Sequence, residues 1–260
     1  MPISAVVRAR GLVKQYRRIR AVDGVDLSVA PGERVALLGP NGAGKTTILF
    51  MLVGVVTPEA GDIEIAGYRL PKERGQAMER VGFAAGYLPL PERLKVREFL
   101  EFFGMLSGLR RSHDAVELGL DRFGIAHLAE AAGNELSSGQ RTLVGVVKAT
   151  LHRPELLVLD EPTASLDPDV ALRVRRGLER LCAEESTALL VTSHNMQEVE
   201  RLCERVVFVS HGRVVADDTP DRVAARFGRA DLEGVFLHLA ELAPEARHAA
   251  ATKIRPQEER

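Results

Sequence analysis

Residues Gly39–Thr47 read GPNGAGKTT and stand between two apolar runs, Val35–Leu38 and Ile48–Val53. This is the phosphate-binding loop pattern G-x-x-x-x-G-K-[ST], and the flanking runs place it between a strand and a helix. It therefore commits this part of the chain to an α/β unit wrapped around a phosphate chain, and the substrate class to a nucleoside triphosphate with magnesium. Gly39, Gly42 and Gly44 let the backbone bend without side-chain clashes, while Pro40, Asn41 and Ala43 fill the turn. The loop N–H groups and the positive end of the following helix favour an anion. Lys45 supplies a point charge for the β- and γ-phosphates, and the Thr46 hydroxyl, followed by Thr47, is placed to bind Mg²⁺. A glycine-rich turn that only caps a helix is the bland alternative; strand, lysine and threonine together argue against it.

Bulk composition narrows the rest. A chain of 260 residues with 35 Lys+Arg and 36 Asp+Glu has a net charge of −1, so no basic block favours DNA or RNA. Its two cysteines, Cys182 and Cys203, form no CxxC and no metal-spaced cluster, and read as ordinary helix residues in a reducing compartment. Met1–Arg10 has no long apolar stretch of a signal peptide, and no run approaches the ~20 residues of a membrane helix. The expectation is a soluble chain; if it works at a membrane, another chain supplies the span.

Along the chain, Val25–Val29 and Glu33–Leu38 read as strands joined by an Ala30-Pro31-Gly32 turn, and the helix after the phosphate loop extends to about Val53. Gly61–Ala66 alternates like a strand with one wet face, and Val81–Ala85 suits a short buried strand. From Gly86 the texture changes. Gly86–Lys95 carries two prolines and reads as a loop; Val96–Gly108, Ser112–Gly124 and Ser138–Leu151 read as helices with no strand between them. A helical block inside an alternating α/β chain suggests a separate lobe over residues 86–150. Leu156–Leu159, Ala188–Thr192 and Val206–Val209 are near-continuous apolar runs, which fits a sheet buried on both faces. After Gly228, the segment Asp231–Leu242 sets Leu232, Val235, Phe236, Leu239 and Leu242 on one helical face, expected to dock on the chain's own core, and Pro256–Arg260 is expected to fray.

Two further clusters carry chemistry. Leu156–Glu161 (LLVLDE) is an apolar strand ending in two carboxylates, which puts Asp160 at the carboxyl edge of the sheet where open α/β sheets bind ligands. One carboxylate can hold Mg²⁺ through water; the next points the other way and can activate a water for attack on the γ-phosphate. Leu136–Gln140 reads LSSGQ before Arg141 and a helix: Ser138 can cap that helix, and Gly139 leaves its N–H groups approachable.

In this order the motifs resemble the nucleotide-binding subunits of ABC transporters, with a match covering about Ala5 to Gly228. Gly39–Thr46 resembles the Walker A loop, and Asp160 with Glu161 resembles Walker B and the catalytic glutamate. Ser137–Gln140 resembles the signature loop, SGGQ in most members, with Ser138 in place of the first glycine. Ser165, Leu166 and Asp167 resemble the D-loop; His194 stands where the family has its switch histidine, and Tyr16 where an aromatic stacks on adenine. His211, His238 and His248 carry no such role.

The resemblance implies a P-loop NTPase (RecA-like) α/β core with an antiparallel β subdomain and an inserted α-helical subdomain. It divides the chain into an ATPase domain of residues 1–228 (core 1–85 and 151–228, lobe 86–150) and a C-terminal extension, 229–260. It also implies a head-to-tail homodimer in which each ATP lies between Lys45 of one copy and Ser137, Gly139 and the helix N-terminus of the other, closed by ATP and released by hydrolysis. In this reading Glu161, His194 and Lys45 are the catalytic set, and Thr46 and Asp160 hold the metal. The partner is a separate membrane-spanning permease, with this chain peripheral on the inner face of the cell membrane. The stretches Ser193–Pro220, LSSGQRTLVGVVKA and ADLEGVFLHLA look similar to exporter ATPases for drugs, polysaccharides or lipids.

One departure stands out. The family has a glutamine at the start of the helical lobe, whereas Val81–Phe99 contains none; Gly86 or Tyr87 falls at that place, and Gln76 lies too far upstream. A tyrosine hydroxyl is a poor magnesium ligand. The expectation is a reduced but real ATPase, since Lys45, Asp160, Glu161 and His194 are present; the alternative is a nucleotide-gated interaction module with little turnover. A soluble ABC ATPase acting on DNA or ribosomes is disfavoured by the single cassette and the charge. The permease contact is expected on the Gly86–Lys95 loop, where Leu88, Leu90 and Leu94 alternate, and on the first lobe helix. There Phe99, Phe102 and Phe103 serve either as lobe core, the favoured reading, or as the socket for the permease.

Overall fold

The computed structural model describes residues 5–85, 90–163 and 166–241. Two sheets organise it. The first is antiparallel: β1 (Val7–Tyr16) and β2 (Ile19–Val29) form a long hairpin, and β4 (Ala60–Ile65) and β5 (Tyr68–Leu70) extend it in the order β2-β1-β4-β5. The second has the order β10-β9-β3-β8-β7-β6, from β3 (Arg34–Leu38), β6 (Val81–Ala85), β7 (Leu156–Asp160), β8 (Ala188–Thr192), β9 (Arg205–Ser210) and β10 (Arg213–Asp218). Its strands run parallel except β10, which returns antiparallel beside β9.

Strand periodicity explains the layering. In β3, Val35 and Leu37 point into one apolar cluster with Ile48, Leu49 and Leu52 of α1 (Lys45–Leu52) and the inner face of the antiparallel sheet. Ala36 and Leu38 point into the other, shared with the helical block and α6 (Pro168–Glu185). Leu156 and Val158 of β7 face the first cluster, Leu157 and Leu159 the second. A sheet covered on both faces needs apolar residues at every position, which is why these strands read as unbroken runs.

Between β6 and β7 stand α3 (Val96–Leu106), α4 (Ser112–Arg122) and α5 (Ser138–Thr150), with two short 3-10 turns at Ala126–Leu128 and Gly133–Glu135. A β-carbon on Gly119 of α4 would stand 2.9 Å from Val147 Cγ1 of α5, so a glycine is needed for this crossing. Phe99 is buried and Phe103 packs against the same core, whereas Phe102 is 49% exposed. Leu90 departs from the surface contact expected of it: it is 8% exposed and belongs to the lobe core, and Leu94 packs against that core. Proximity to prolines says nothing about burial, and the turn at Gly133 folds back over Leu90. Leu88, Gly86 and Tyr87 lie outside the described residues.

After β8 come α7 (Met196–Leu202) and α8 (Pro220–Arg226). Cys182 lies within α6, but Cys203 lies just past the end of α7 in extended backbone, not in a helix; both thiols are buried. Residues 232–241 are helical, and Leu232, Val235 and Leu239 are buried in the core, as their spacing predicts. Leu242, His248 and Pro256–Arg260 lie outside the described residues. Among the described residues no helix is long and apolar enough to cross a membrane.

Candidate functional site

Three neighbouring parallel strands, β3, β8 and β7, end on one edge of the sheet. The phosphate-binding loop leaves β3 after Leu38, Asp160 and Glu161 end β7, and His194 follows β8 by two residues. Thus Lys45, Asp160, Glu161 and His194, far apart in sequence, come together because parallel strands put all their carboxyl ends on one side.

In the loop, Gly39, Gly42 and Gly44 all adopt positive φ, at 145°, 79° and 110°. A β-carbon on Gly39 would stand 2.0 Å from the Val209 carbonyl oxygen, and one on Gly44 2.3 Å from that of Ala21, so both positions exclude a side chain. Lys45 Nζ donates to the Gly39 carbonyl at 2.6 Å and the Pro40 carbonyl at 3.2 Å, which turns the ammonium back over the loop. Burial lowers its pKa from the ordinary lysine value, and the charges of Glu161 and Asp160 pull the other way.

Thr192 organises the acidic side, a role the sequence reading passed over. It stands opposite Asp160 in the β7–β8 register, its hydroxyl donates to Asp160 Oδ1, and the Glu161 N–H donates to Thr192 Oγ1 at 3.2 Å. The only sequence signal is a threonine closing the apolar run next to a strand that ends in acid. Glu161 itself has φ of 55°, a left-handed conformation that disfavours a side chain. Its carboxylate is held by His194: the His194 N–H donates to Oε2 at 3.2 Å, and Nε2 lies 3.3 Å from Oε1. The loop carrying the histidine is fixed in turn, because Asn195 Oδ1 accepts the Glu198 N–H at 3.1 Å and so caps α7.

The serine-rich turn sits elsewhere. The cap of α5 is Ser137, not Ser138: Ser137 Oγ accepts the Gln140 N–H at 3.2 Å, and Gln140 Oε1 accepts the Ser137 N–H at 2.9 Å. The pair is a reciprocal capping box, with spacing S-x-x-Q that Ser137 satisfies and Ser138, already inside the first turn, cannot. Ser137, Gly139 and Gln140 line a cavity of about 140 Å³ together with Leu166 and Asp167. Asp167 opens α6, with Pro168 at its first position; Ser165 lies outside the described residues. Glu161 and His194 line a different cleft, and among the described residues only Leu166 borders both.

Tyr16 closes β1, 45% exposed as a residue, with Lys14 Nζ 5.6 Å from its ring centroid. His211 stays in the β9–β10 turn beside Ser210 Oγ at 3.0 Å, and His238 sits between Arg229 and Phe227, so both have structural partners. Thr46 and Asp160 offer hydroxyl and carboxylate oxygens, the hard donors magnesium prefers. Among the described residues no cluster of three or more acidic, histidine or cysteine side chains forms a metal cage. A cation at these oxygens would take its remaining ligands from phosphates and water, the usual habit of Mg²⁺.

A family model described as "ABC transporter" matches residues 22–164. The chain is 36% identical over 225 residues to the Nod factor export ATP-binding protein I of Paraburkholderia xenovorans (strain LB400), covering 86% of this chain and 74% of that one. It is 37% identical over 227 residues to the lipopolysaccharide export system ATP-binding protein LptB of Escherichia coli (strain K12), covering 84% and 92%. Among solved structures, an ATP-binding subunit of an ABC transporter superposes with a TM-score of 0.80 at 29% identity, covering 90% of this chain and 99% of that one.

Proposed function

We propose, because this chain belongs to the ABC transporter family as one of its ATPase cassettes, that it powers an exporter through ATP-dependent closure of two copies of itself. The observation that carries this is the convergence of Lys45, Asp160, Glu161 and His194 on one sheet edge. Supporting it, the relatives at 36% and 37% identity are export ATP-binding proteins.

In this reading the loop Gly39–Thr47 takes the phosphates of ATP, with Lys45 on the β- and γ-phosphates and the N–H groups of α1 behind them. Tyr16 stacks on the adenine. Thr46 and Asp160 would hold Mg²⁺, which supplies charge neutralisation to the phosphates. Glu161 takes a proton from the attacking water, and His194 contacts the γ-phosphate while holding the Glu161 carboxylate. Ser137, Gly139 and Gln140, with Asp167, line a separate cavity, so in this reading they and the neighbouring Ser138 serve the ATP of a second copy. The N-terminus of α5 then meets the γ-phosphate from across a head-to-tail interface. The division into residues 1–228 and 229–260, with a lobe at 86–150, assigns the lobe to a membrane-spanning permease. The exposed Phe102, Met105 and Leu106 of α3 suit that contact, and the chain then sits on the inner face of the membrane, bound to its permease.

A second reading is a nucleotide-gated module with little turnover, favoured by the absence of glutamine from Val81–Phe99. Wild type and Glu161→Gln run on a sizing column with and without Mg·ATP separate the two. Turnover in the wild type, with an ATP-dependent dimer trapped in the variant, is expected. Equal, negligible turnover in both with retained ATP binding means a nucleotide-gated module or a site that only the membrane partner completes, and a monomer under every condition overturns the dimer.

A further inference from the structure

The helical residues 232–241 belong to neither half of the ATP site, yet they reach it. The Leu232 N–H donates to Glu200 Oε1 of α7 at 2.9 Å, a carboxylate placed at a helix N-terminus. Leu232, Val235 and Leu239 share one buried cluster with Met196 and Val199 of α7. On the adjoining face, Phe236 meets the imidazole of His194 edge to face, with ring centroids 6.1 Å apart and planes at 82°. Glu233, Phe236 and Leu237 line a cleft of about 590 Å³ that also exposes Glu161, Thr163 and His194.

The His194 side chain is 49% exposed, so neighbours on few sides hold its ring. Glu161 meets it at Nε2, and Phe236 borders the ring at a separation typical of favourable aromatic pairs. Such a pair biases orientation by about two- to tenfold. Glu200 and the shared core fasten the tail helix to the same α7 that follows His194, so Phe236 is held at a fixed place beside the ring.

We propose that Phe236 is a positioning residue for His194, and that the C-terminal helix thereby sets the rate of ATP turnover without contributing to ATP binding. This rests on the reading of His194 as the γ-phosphate contact. Phe236 touches no nucleotide in this scheme, so its loss lowers kcat and leaves KM for ATP in place. A purely structural role for the helix would instead act through stability alone.

The test uses the full chain with Phe236→Leu, which keeps apolar bulk but removes the ring, beside Phe236→Tyr, Leu237→Ala, His194→Ala and the double variant Phe236→Leu/His194→Ala. Two readouts are taken: steady-state Mg·ATP kinetics, and the His194 ring signal in a histidine-labelled NMR spectrum, identified by its disappearance in His194→Ala. Phe236→Leu is expected to lower kcat about two- to tenfold at unchanged KM and to shift the His194 signal. Phe236→Tyr and Leu237→Ala are expected to match wild type, and the double variant to be no slower than His194→Ala alone. Wild-type kcat in Phe236→Leu, a further loss in the double variant, or an unshifted His194 signal overturns the proposal. The NMR arm needs no turnover and so decides the contact even if hydrolysis requires the membrane partner. Wild-type turnover in His194→Ala would instead remove the reading of His194 itself, and the proposal with it.

Discussion

His194 holds Glu161 twice: its backbone N–H donates to Oε2 at 3.2 Å, and its Nε2 lies 3.3 Å from Oε1. The glutamate so held sits at φ of 55°, where an L residue is strained. A carboxylate held twice on a costly backbone conformation is aimed by the fold rather than free to rotate, and that has a stability signature.

Glu161→Ala and Glu161→Gly should both lose turnover by about 10²–10⁴-fold, since each removes the proposed general base. Their stabilities should differ in the unusual direction. Glycine ordinarily costs more than alanine, but at positive φ it relieves strain, so Glu161→Gly should unfold at higher urea than Glu161→Ala, by about 1 kcal/mol. Urea titrations of the two variants measure this; an Ala variant at least as stable as the Gly variant would refute the strain.

Why some of this was legible in sequence and some not follows from the physics of each signal. The phosphate loop and the strands β3, β6, β7, β8 and β9 show because motif spacing and double-sided burial both leave local traces. The β1–β2 hairpin does not, since its alternation is broken where the register slips between Ala9 and Leu12. Only Val25–Val29 of it reads as strand. Ser137 and Ser138 are neighbours of one type, and it is the S-x-x-Q spacing to Gln140 that marks Ser137 as the cap of α5. Thr192 gains its role from strand register, a long-range property.

Lys45→Ala should weaken ATP binding by about ten- to a hundredfold, the worth of a charged hydrogen-bonding group. Burial lowers the Lys45 pKa more than Glu161 and Asp160 raise it. The free chain therefore loses this charge at lower pH than an exposed lysine would, and ATP affinity should fall as pH rises through that value. Calorimetric titration across the alkaline range should show this limb in wild type and not in Lys45→Ala. An equal affinity in both at neutral pH would refute the phosphate-loop assignment.

Leu90 and Phe102 separate lobe packing from docking. Leu90 is 8% exposed and Phe102 49% exposed. Leu90→Asp buries an unpaired carboxylate and should destabilise the chain by about 3 kcal/mol or more. Phe102→Asp should change stability by less than about 0.5 kcal/mol, keep ATP binding, and fail to co-purify with the permease. Thermal melts and pull-downs of the two variants give the answer; a Phe102→Asp chain that co-purifies like wild type places the docking surface elsewhere.

The buried thiols set an alkaline limit on the fold. Burial pushes both Cys182 and Cys203 from 9.0 up to about 12. Between those values the unfolded chain has released two protons that the folded chain retains, so the unfolded state binds fewer and stability falls as pH rises. The full slope for two thiols is about 2.7 kcal/mol per pH unit. Lys45 and Lys148, lowered mainly by burial, act in the opposite sense below the ordinary lysine value, because there the unfolded chain binds more protons. Comparing wild type with Cys182→Ala/Cys203→Ala cancels the lysines. Urea unfolding at a series of pH values above 9 should give a steeper decline in wild type than in the double variant; parallel declines would mean the thiols ionise as readily in the fold as out of it.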